Sequence, residues 1–389
     1  MPFDPRDPVA LTAALIRCPS VTPDEAGALT LLQQALEPAG FTCHRITFSE
    51  PGTPDVENLY ARIGNSGPNL CFAGHTDVVP AGNLAAWSVP PFAAEAKGGM
   101  LYGRGAVDMK GGVACFVAAA LRHLAANGDS AEGSISLLIT GDEEGPSING
   151  TAKVLDWLAA RGEKLDACLV GEPSNPSALG DEIKIGRRGS LNGEIVVQGV
   201  QGHAAYPQKA DNPVPKLARI IDRLSTTELD RGTASFEPSR LVVTVISVPN
   251  TATNVIPGAA TAKFNIRYND AWNRPRMETR IREICAAAAT EVGARYDVSF
   301  SGTGDVFLTE PGPLVATMVA AIEAETGRTP ALTTGGGTSD ARFIKDHCPV
   351  IEFGLVNRTI HQIDEHVAIA DLETLTRIYQ RFIAGYFAG

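Results

Sequence analysis

Apolar positions recur at helical spacing over about residues 7 to 18, 24 to 38, 109 to 126 and 149 to 160, and short apolar runs fall between them at about 41 to 48, 58 to 64, 69 to 74, 134 to 140 and 166 to 171. The long periodic stretches predict helices, and the short runs, bounded by turn-forming residues, predict strands. Their alternation predicts an α/β fold with a mainly parallel central sheet covered by helices, since strands buried on both faces read as continuous apolar runs. Beyond Arg188 the rhythm changes to strand 191 to 199, helix 213 to 225, strand 241 to 248, strand 260 to 268, helix 275 to 290 and strand 295 to 301. That order is a βαββαβ unit of ferredoxin-like type. A helix near 312 to 326, a strand near 349 to 353 and a last helix from about 371 to 386 then resume the first pattern. The expected division is 1–187, an insert at 188–301, and 302–389, the outer segments forming one discontinuous catalytic domain if His361 joins the chemistry carried by the first.

Composition narrows the class. With 389 residues, 44% hydrophobic and 20% charged, the chain is long enough for more than one packed unit and is not a largely disordered protein. A formal net charge of −11 without a Lys/Arg cluster argues against nucleic acid as a partner. The longest apolar stretch, 113 to 121, is cut by Arg122 and His123, so no membrane span is expected. The opening residues, MPFDPRDPVALTAALIRC, predict a capped helix and lack the basic and apolar regions of a signal peptide. Cys18, Cys43, Cys71, Cys115, Cys168, Cys285 and Cys348 are odd in number and form no C-x-x-C pair, which reads as reduced thiols of a cytoplasmic protein.

Chemistry-bearing side chains gather at the ends of the apolar runs. His75-Thr76-Asp77 follows one predicted strand, Glu143-Glu144 another and Glu172 a third; Asp108 opens a helix, and His361 lies in the third segment. The C-terminal edge of an open α/β sheet is where such folds bind ligands. Two metals sharing one carboxylate need at least two histidines and three carboxylates, and this set supplies them. Each residue also has a plainer reading alone: His75 as a hydrogen-bonded core histidine, Asp77 as an Asx turn, Asp108 as a helix N-cap, Glu143-Glu144 as a solvated pair. Five such coincidences at strand ends are less probable than one site.

The segments Gly74-His75-Thr76-Asp77-Val78-Val79-Pro80, 103 to 111 (GRGAVDMKG), Gly141-Asp142-Glu143-Glu144-Gly145 and Gly171-Glu172-Pro173 resemble, in order and over nearly the whole chain, the co-catalytic zinc aminoacylase/carboxypeptidase family. The resemblance implies a zinc-exopeptidase-like fold with an inserted lid and dimerisation domain, two Zn2+ per subunit with Co2+ as a substitute, and a homodimer. It implies that Asp108 bridges both metals, that His75 and Glu172 complete one site and Glu144 and His361 the other, and that Glu143 is the general base. Asp77 is expected beside His75, its carboxylate accepting the outer ring N–H. A cis peptide is implied at Asp108-Met109.

The stretches Gly186-Arg187-Arg188-Gly189-Ser190, 202 to 207 (GHAAYP), Thr253-Asn254-Val255-Ile256-Pro257, 335 to 340 (GGGTSD) and Asn357-Arg358-Thr359-Ile360-His361 are similar to those of family members that release succinate from N-succinyl-LL-2,6-diaminopimelate, more than to acetylornithine deacetylases or glutamate carboxypeptidases. Ala341 departs from that pattern, where glycine is commoner. A substrate with three carboxylates and one ammonium needs several cationic and backbone donors. Arg187, Ser190 and Arg267 supply the former kind, the run containing Gly336 and Thr338 the latter, and Tyr206 and Asn357 are further candidates. His203 and Asn254 are the expected donors to a developing oxyanion, the histidine reaching a neighbouring subunit in the family; an interface histidine without a catalytic part is the alternative. Acetylornithine or another N-acyl amino acid is the neighbouring substrate class, and a non-catalytic binding protein on the same fold the remote one.

Overall fold

Two compact units make up the protein: Met1–Ile185, Thr309–Thr333 and Ser339–Gly389 form the first, Gly186–Leu308 and Thr334–Thr338 the second. The computed structural model describes residues 3–128 and 133–388.

An eight-stranded sheet organises the first unit, in the spatial order Thr42–Phe48, Val56–Ile63, Ser134–Thr140, Asn69–His75, Ala167–Val170, Val350–Glu352, Glu182–Lys184, Ala331–Thr333. Its four middle strands, Ser134–Thr140 to Val350–Glu352, are mutually parallel. The expected mainly parallel sheet is therefore present at the centre. Antiparallel pairing adds Val56–Ile63 and Thr42–Phe48 at one side. Every residue of Asn69–His75 and Ser134–Thr140 is buried, which is why their polar positions are few and small or at the strand ends.

Aromatic contacts tie the sheet to its helices. Phe72 stacks on Phe116 of helix Lys110–Ala126 with ring centroids 4.3 Å apart, and Tyr379 of helix Ile369–Ala388 meets both rings edge-on. The Tyr379 hydroxyl donates to the Phe353 carbonyl at 2.6 Å, so its one polar atom is satisfied inside the core. Emptying a site of this kind, as in Phe72→Ala, costs about 3 to 5 kcal/mol. The first helix, Pro8–Ile16, starts where the sequence signals it: Asp7 accepts the N–H groups of Val9 and Ala10, and Pro8 occupies the first turn, where its missing N–H is not needed.

A four-stranded antiparallel sheet forms the second unit, in the order Arg240–Ser247, Ala259–Tyr268, Gly189–Gln198, Arg295–Gly304. Together with helices Pro213–Thr226 and Arg274–Val292 it has the βαββαβ order and ferredoxin-like strand arrangement. Burial alternates along Gly189–Gln198, and the buried set Leu191, Ile195 and Val197 packs in one cluster with Leu217, Ile220, Phe264 and Ile281. Both helices open on an asparagine cap, Asn212 and Asn273, with a proline in the first turn.

The glycine run at 334–338 groups with this second unit, whereas the sequence pattern alone assigned it to the third segment. Arg187 Nη1 donates to the Gly337 carbonyl at 3.1 Å, and Thr334 Oγ1 donates to the Ser235 carbonyl. Gly336 has φ of 104°, a left-handed conformation that favours glycine, and it lies against Arg187 Nη1.

Candidate active site

Strand ends deliver most of the candidate residues. His75 is the last residue of strand Asn69–His75, Glu143 and Glu144 form a turn just past Ser134–Thr140, and Glu172 follows Ala167–Val170 by two residues. Glycine precedes His75 and Glu172 for a packing reason. A Cβ on Gly171 would come within 2.4 Å of Phe72 Cζ in a rigid ring, so only glycine fits there, and Gly74 leaves room for the Met109 methyl, which a Cβ would displace. Asp108 precedes helix Lys110–Ala126 without capping it: the N-cap is Met109, and no side chain serves as cap. The Asp108-Met109 peptide is cis. His361 sits in the loop between Val350–Glu352 and His366–Ala368 with φ of 59°, in the left-handed region.

These segments converge on Asp108. Its Oδ1 lies 3.2 Å from His75 Nε2 and its Oδ2 lies 3.0 Å from His361 Nε2. His75 Nε2 is also 3.8 Å from Glu172 Oε1, and His361 Nε2 is 2.8 Å from Glu144 Oε1. Donor atoms of His75, Asp108 and Glu144 lie within 4.8 Å of one another, as do those of His75, Glu143 and Glu172. Two imidazoles and three carboxylates, with one carboxylate presenting a different oxygen to each imidazole, fit a pair of divalent cations of the zinc type.

Asp77 acts differently from the sequence expectation. The His75 Nδ1–H donates to the main-chain carbonyl of Asp77 at 2.8 Å, while the Asp77 carboxylate is 3.6 Å away. That carboxylate instead accepts the N–H groups of Glu143 at 3.3 Å and Glu144 at 3.0 Å. The chain turns after strand Asn69–His75, so the carbonyl two residues on comes within reach of the ring and the side chain is free for the neighbouring turn. A carbonyl can only accept, which fixes the His75 tautomer and leaves Nε2 free for a cation.

Electrostatics set the groups apart. Burial pushes Glu143 up to about 8 against the lowering influence of His75, with Asp340 and Glu144 adding to the rise. Burial also raises Asp77 to about 6 and lifts Glu172 well above the usual carboxylate range, Asp108 and Glu143 reinforcing the latter. Asp108 goes the other way: burial alone would raise it, but hydrogen bonds with His361 and His75 hold it below the usual range. Contact with Asp108 and Glu144 lifts His361 to about 10. His75 is raised well above its usual value, burial opposing and Asp108 leading the rise. Acidic groups outnumber the positive charges that face them, so the cluster favours added cations.

Asn357 belongs to the same region, its Nδ2 donating to the carbonyl of Pro173, next to Glu172. Arg187, Ser190, His203, Tyr206, Asn254, Arg267, Gly336 and Thr338 all belong to the second unit. Within it Ser190 Oγ accepts from Asn265 Nδ2, Ser190 pairs in register with Arg267, and His203 Nδ1 accepts the Ala205 N–H at 3.0 Å. The rings of His203 and Tyr206 lie 5.7 Å apart, and the Ala204 N–H donates to the Asn254 carbonyl.

Three residues that sequence reasoning left without a role stand close to the cluster. Asp340, buried, accepts from Thr151 Oγ1 at 2.6 Å and acts by its charge on Glu143. Arg104 and Glu365 form a buried ion pair at 2.7 Å beside Asp108. Arg104 and Asp340 fall inside conspicuous motifs, but nothing in one sequence announces the partner of either.

The chain is 60% identical over 383 residues to the succinyl-diaminopimelate desuccinylase of Rhodospirillum centenum, covering 98% of both chains. It is 58% identical over 393 residues to that of Rhodopseudomonas palustris, covering 100% of both. Among solved structures, a tripeptidase from Staphylococcus aureus subsp. aureus Mu50 shares the fold with a TM-score of 0.80 at 18% identity, covering 99% of both chains. The model of peptidase family M20/M25/M40 matches residues 71–385, a span that runs from the strand bearing His75 past His361. By that match and by full-length relatives of this identity, the chain belongs to peptidase family M20/M25/M40.

Proposed function

We propose that this chain hydrolyses the amide of N-succinyl-LL-2,6-diaminopimelate, releasing succinate and LL-2,6-diaminopimelate. The observation that carries the reading is the bracketing of Asp108 by His75 and His361, one imidazole at each carboxylate oxygen. The reaction is the one for which the full-length relatives at 58 to 60% identity are named.

In this reading His75, Asp108 and Glu172 would hold one divalent cation and Asp108, Glu144 and His361 a second, zinc in both places with cobalt as a substitute. Bound there, the cations would lower the pKa of water and polarise the amide carbonyl. Glu143 takes the proton from the attacking water at its carboxylate and returns it to the amide nitrogen as the carbon–nitrogen bond breaks. Burial raises the Glu143 carboxyl above the usual carboxylate range, which strengthens it as a proton acceptor once ionised beside bound cations. Asp77 fixes where that base sits by holding the N–H groups of Glu143 and Glu144.

The reading gives the second unit the parts of lid, substrate donor and dimerisation domain. Arg187, Ser190, Arg267, Gly336 and Thr338, with Tyr206 and Asn357, receive the carboxylates and ammonium of the substrate. His203 and Asn254 donate to the oxyanion that forms at the carbonyl. In support, His203 Nδ1 accepts from the Ala205 N–H, which leaves the ring proton on Nε2, and the ring is exposed. A homodimer through this unit is part of the proposal; Val242, Val245 and Ile246 lie exposed along its edge strand, as an interface would require. So is a cytoplasmic location, consistent with seven free cysteines. No helix among the described residues is long and apolar enough to cross a membrane.

The test is amide hydrolysis by zinc-reconstituted protein, comparing N-succinyl-LL-2,6-diaminopimelate with N-acetylornithine in parallel with a chelated control. Chelator-sensitive turnover of the succinyl compound is expected. Preference for the acetyl compound would overturn the substrate assignment.

A further inference from the structure

We infer that Arg104 and Glu365 are positioning residues: their buried ion pair locks the loop carrying His361 to the loop carrying Asp108, and thereby sets the affinity for the cation that needs both. The inference rests on the two-cation reading above.

Glu365 is completely buried and Arg104 is 3% exposed. Both oxygens of Glu365 are committed to the loop before helix Lys110–Ala126. Oε1 accepts the N–H groups of Val107 at 2.9 Å and Asp108 at 3.2 Å; Oε2 accepts the Gly105 N–H at 3.1 Å and Arg104 Nη1 at 2.7 Å. The main chain repeats the link, with the Gly103 N–H donating to the Glu365 carbonyl at 2.9 Å. Arg104 works in the opposite direction. Its Nη1 donates to the Gln362 carbonyl at 3.2 Å and its Nη2 to the His361 carbonyl at 3.4 Å, while the guanidinium lies over the Trp87 ring, 5.3 Å from its centroid. Each loop thus contributes one charged side chain that gathers the backbone of the other.

A buried carboxylate is costly to keep and here has no oxygen left for substrate or cation, so its contribution is to geometry. The loop it holds is one that needs holding. His361 and Asp364 both have left-handed φ, 59° and 58°, which residues with a Cβ adopt only where their surroundings impose it. Asp364 Oδ1 accepts the Ser88 N–H at 2.7 Å, a further tether on the same turn. The outcome is His361 Nε2 lying 3.0 Å from Asp108 Oδ2, between residues more than 250 positions apart in the chain. Arg104 and Glu365 act through the main chain on either side of that pair of side chains.

Cobalt binding tests this. Metal-stripped wild type, Glu365→Gln, Arg104→Lys, His361→Ala and, as a control that removes a different ion pair, Glu325→Gln are titrated with Co2+ while visible absorption and heat are recorded. Glu365→Gln keeps the shape but turns an amide N–H2 towards donors. Arg104→Lys keeps the buried charge pair and loses the fork that reaches the carbonyls of His361 and Gln362. Wild type and Glu325→Gln are expected to take up two equivalents. Both pair variants are expected to bind the second equivalent at least about tenfold more weakly, with an altered visible band approaching that of His361→Ala, and the first within about threefold of wild type. Wild-type affinity and spectrum in both variants would overturn the inference. Equal weakening of both equivalents together with a lowered melting temperature would also overturn it, marking the pair as an ordinary fold element. A wild type that takes up no second ion would sink the two-cation reading, and this inference with it.

Discussion

The carbonyl of Asp77 accepts the Nδ1–H of His75 at 2.8 Å, while the carboxylate of the same residue holds the N–H groups of Glu143 and Glu144. One residue therefore fixes the tautomer of His75, the proposed ligand, with its backbone and seats Glu143, the proposed base, with its side chain. These two functions separate by mutation.

Asp77→Asn keeps the carbonyl, so metal content should stay at the wild-type value. The asparagine oxygen can serve one of the two N–H groups while its amide opposes the other, and kcat should fall about 10- to 100-fold with KM little changed. Steady-state kinetics with metal analysis of the same sample checks this. Loss of metal in parallel with activity would mean that the carboxylate supports His75 after all.

Glu143→Gln removes the proposed proton acceptor and leaves the surroundings in place. Its kcat should drop by about 10²- to 10⁴-fold while metal content and calorimetric binding of substrate persist. Activity within tenfold of wild type would pass the role of base to another group.

Arg187→Ala should distinguish the substrate arms. A charge-assisted hydrogen bond to the succinyl carboxylate corresponds to about 1.5 to 3 kcal/mol, so kcat/KM for the succinyl substrate should fall roughly 10- to 150-fold. Any residual hydrolysis of an acetyl analogue should change little. Equal losses on both would show that Arg187 acts only on the fold, through the Gly337 carbonyl.

Asp230 gives the second unit an acid-sensitive anchor. Its carboxylate accepts from the N–H groups of Gly232 and Ser239, from Asn269 Nδ2 and from Trp272 Nε1. Burial opposes ionisation, but hydrogen bonds from Ser239, Gly232 and Trp272 win and lower its pKa in the folded state. A depressed folded value contributes stability that is present above the unfolded pKa of about 3.9 and drains away as pH falls through the folded value. Asp230→Asn should lose about 1 to 3 kcal/mol at pH 6, and its deficit against wild type should shrink below about pH 4. Denaturant melts at both pH values check this; a deficit independent of pH would contradict it.

Legibility in the sequence followed length and burial. Strands such as Asn69–His75 and Ser134–Thr140 are buried on both faces and announce themselves as apolar runs, and the donors at their ends stand out against the glycines that packing imposes. Strands Glu182–Lys184 and Ala331–Thr333 have three residues each, too few to carry a period, and passed unnoticed. The seat of the Asp77 carboxylate depends on how two strand ends lie side by side, which spacing along one strand does not encode. Arg104 and Glu365 meet across 261 positions, and each alone reads as an ordinary charged residue.

The most direct test is succinate release from N-succinyl-LL-2,6-diaminopimelate while metal-stripped protein is titrated with zinc, wild type beside Asp108→Asn. The account predicts no release without metal, a rise that reaches its maximum by two bound equivalents, and almost none from Asp108→Asn at any zinc concentration. Release that is insensitive to metal, or none after two equivalents have bound to wild type, would contradict it.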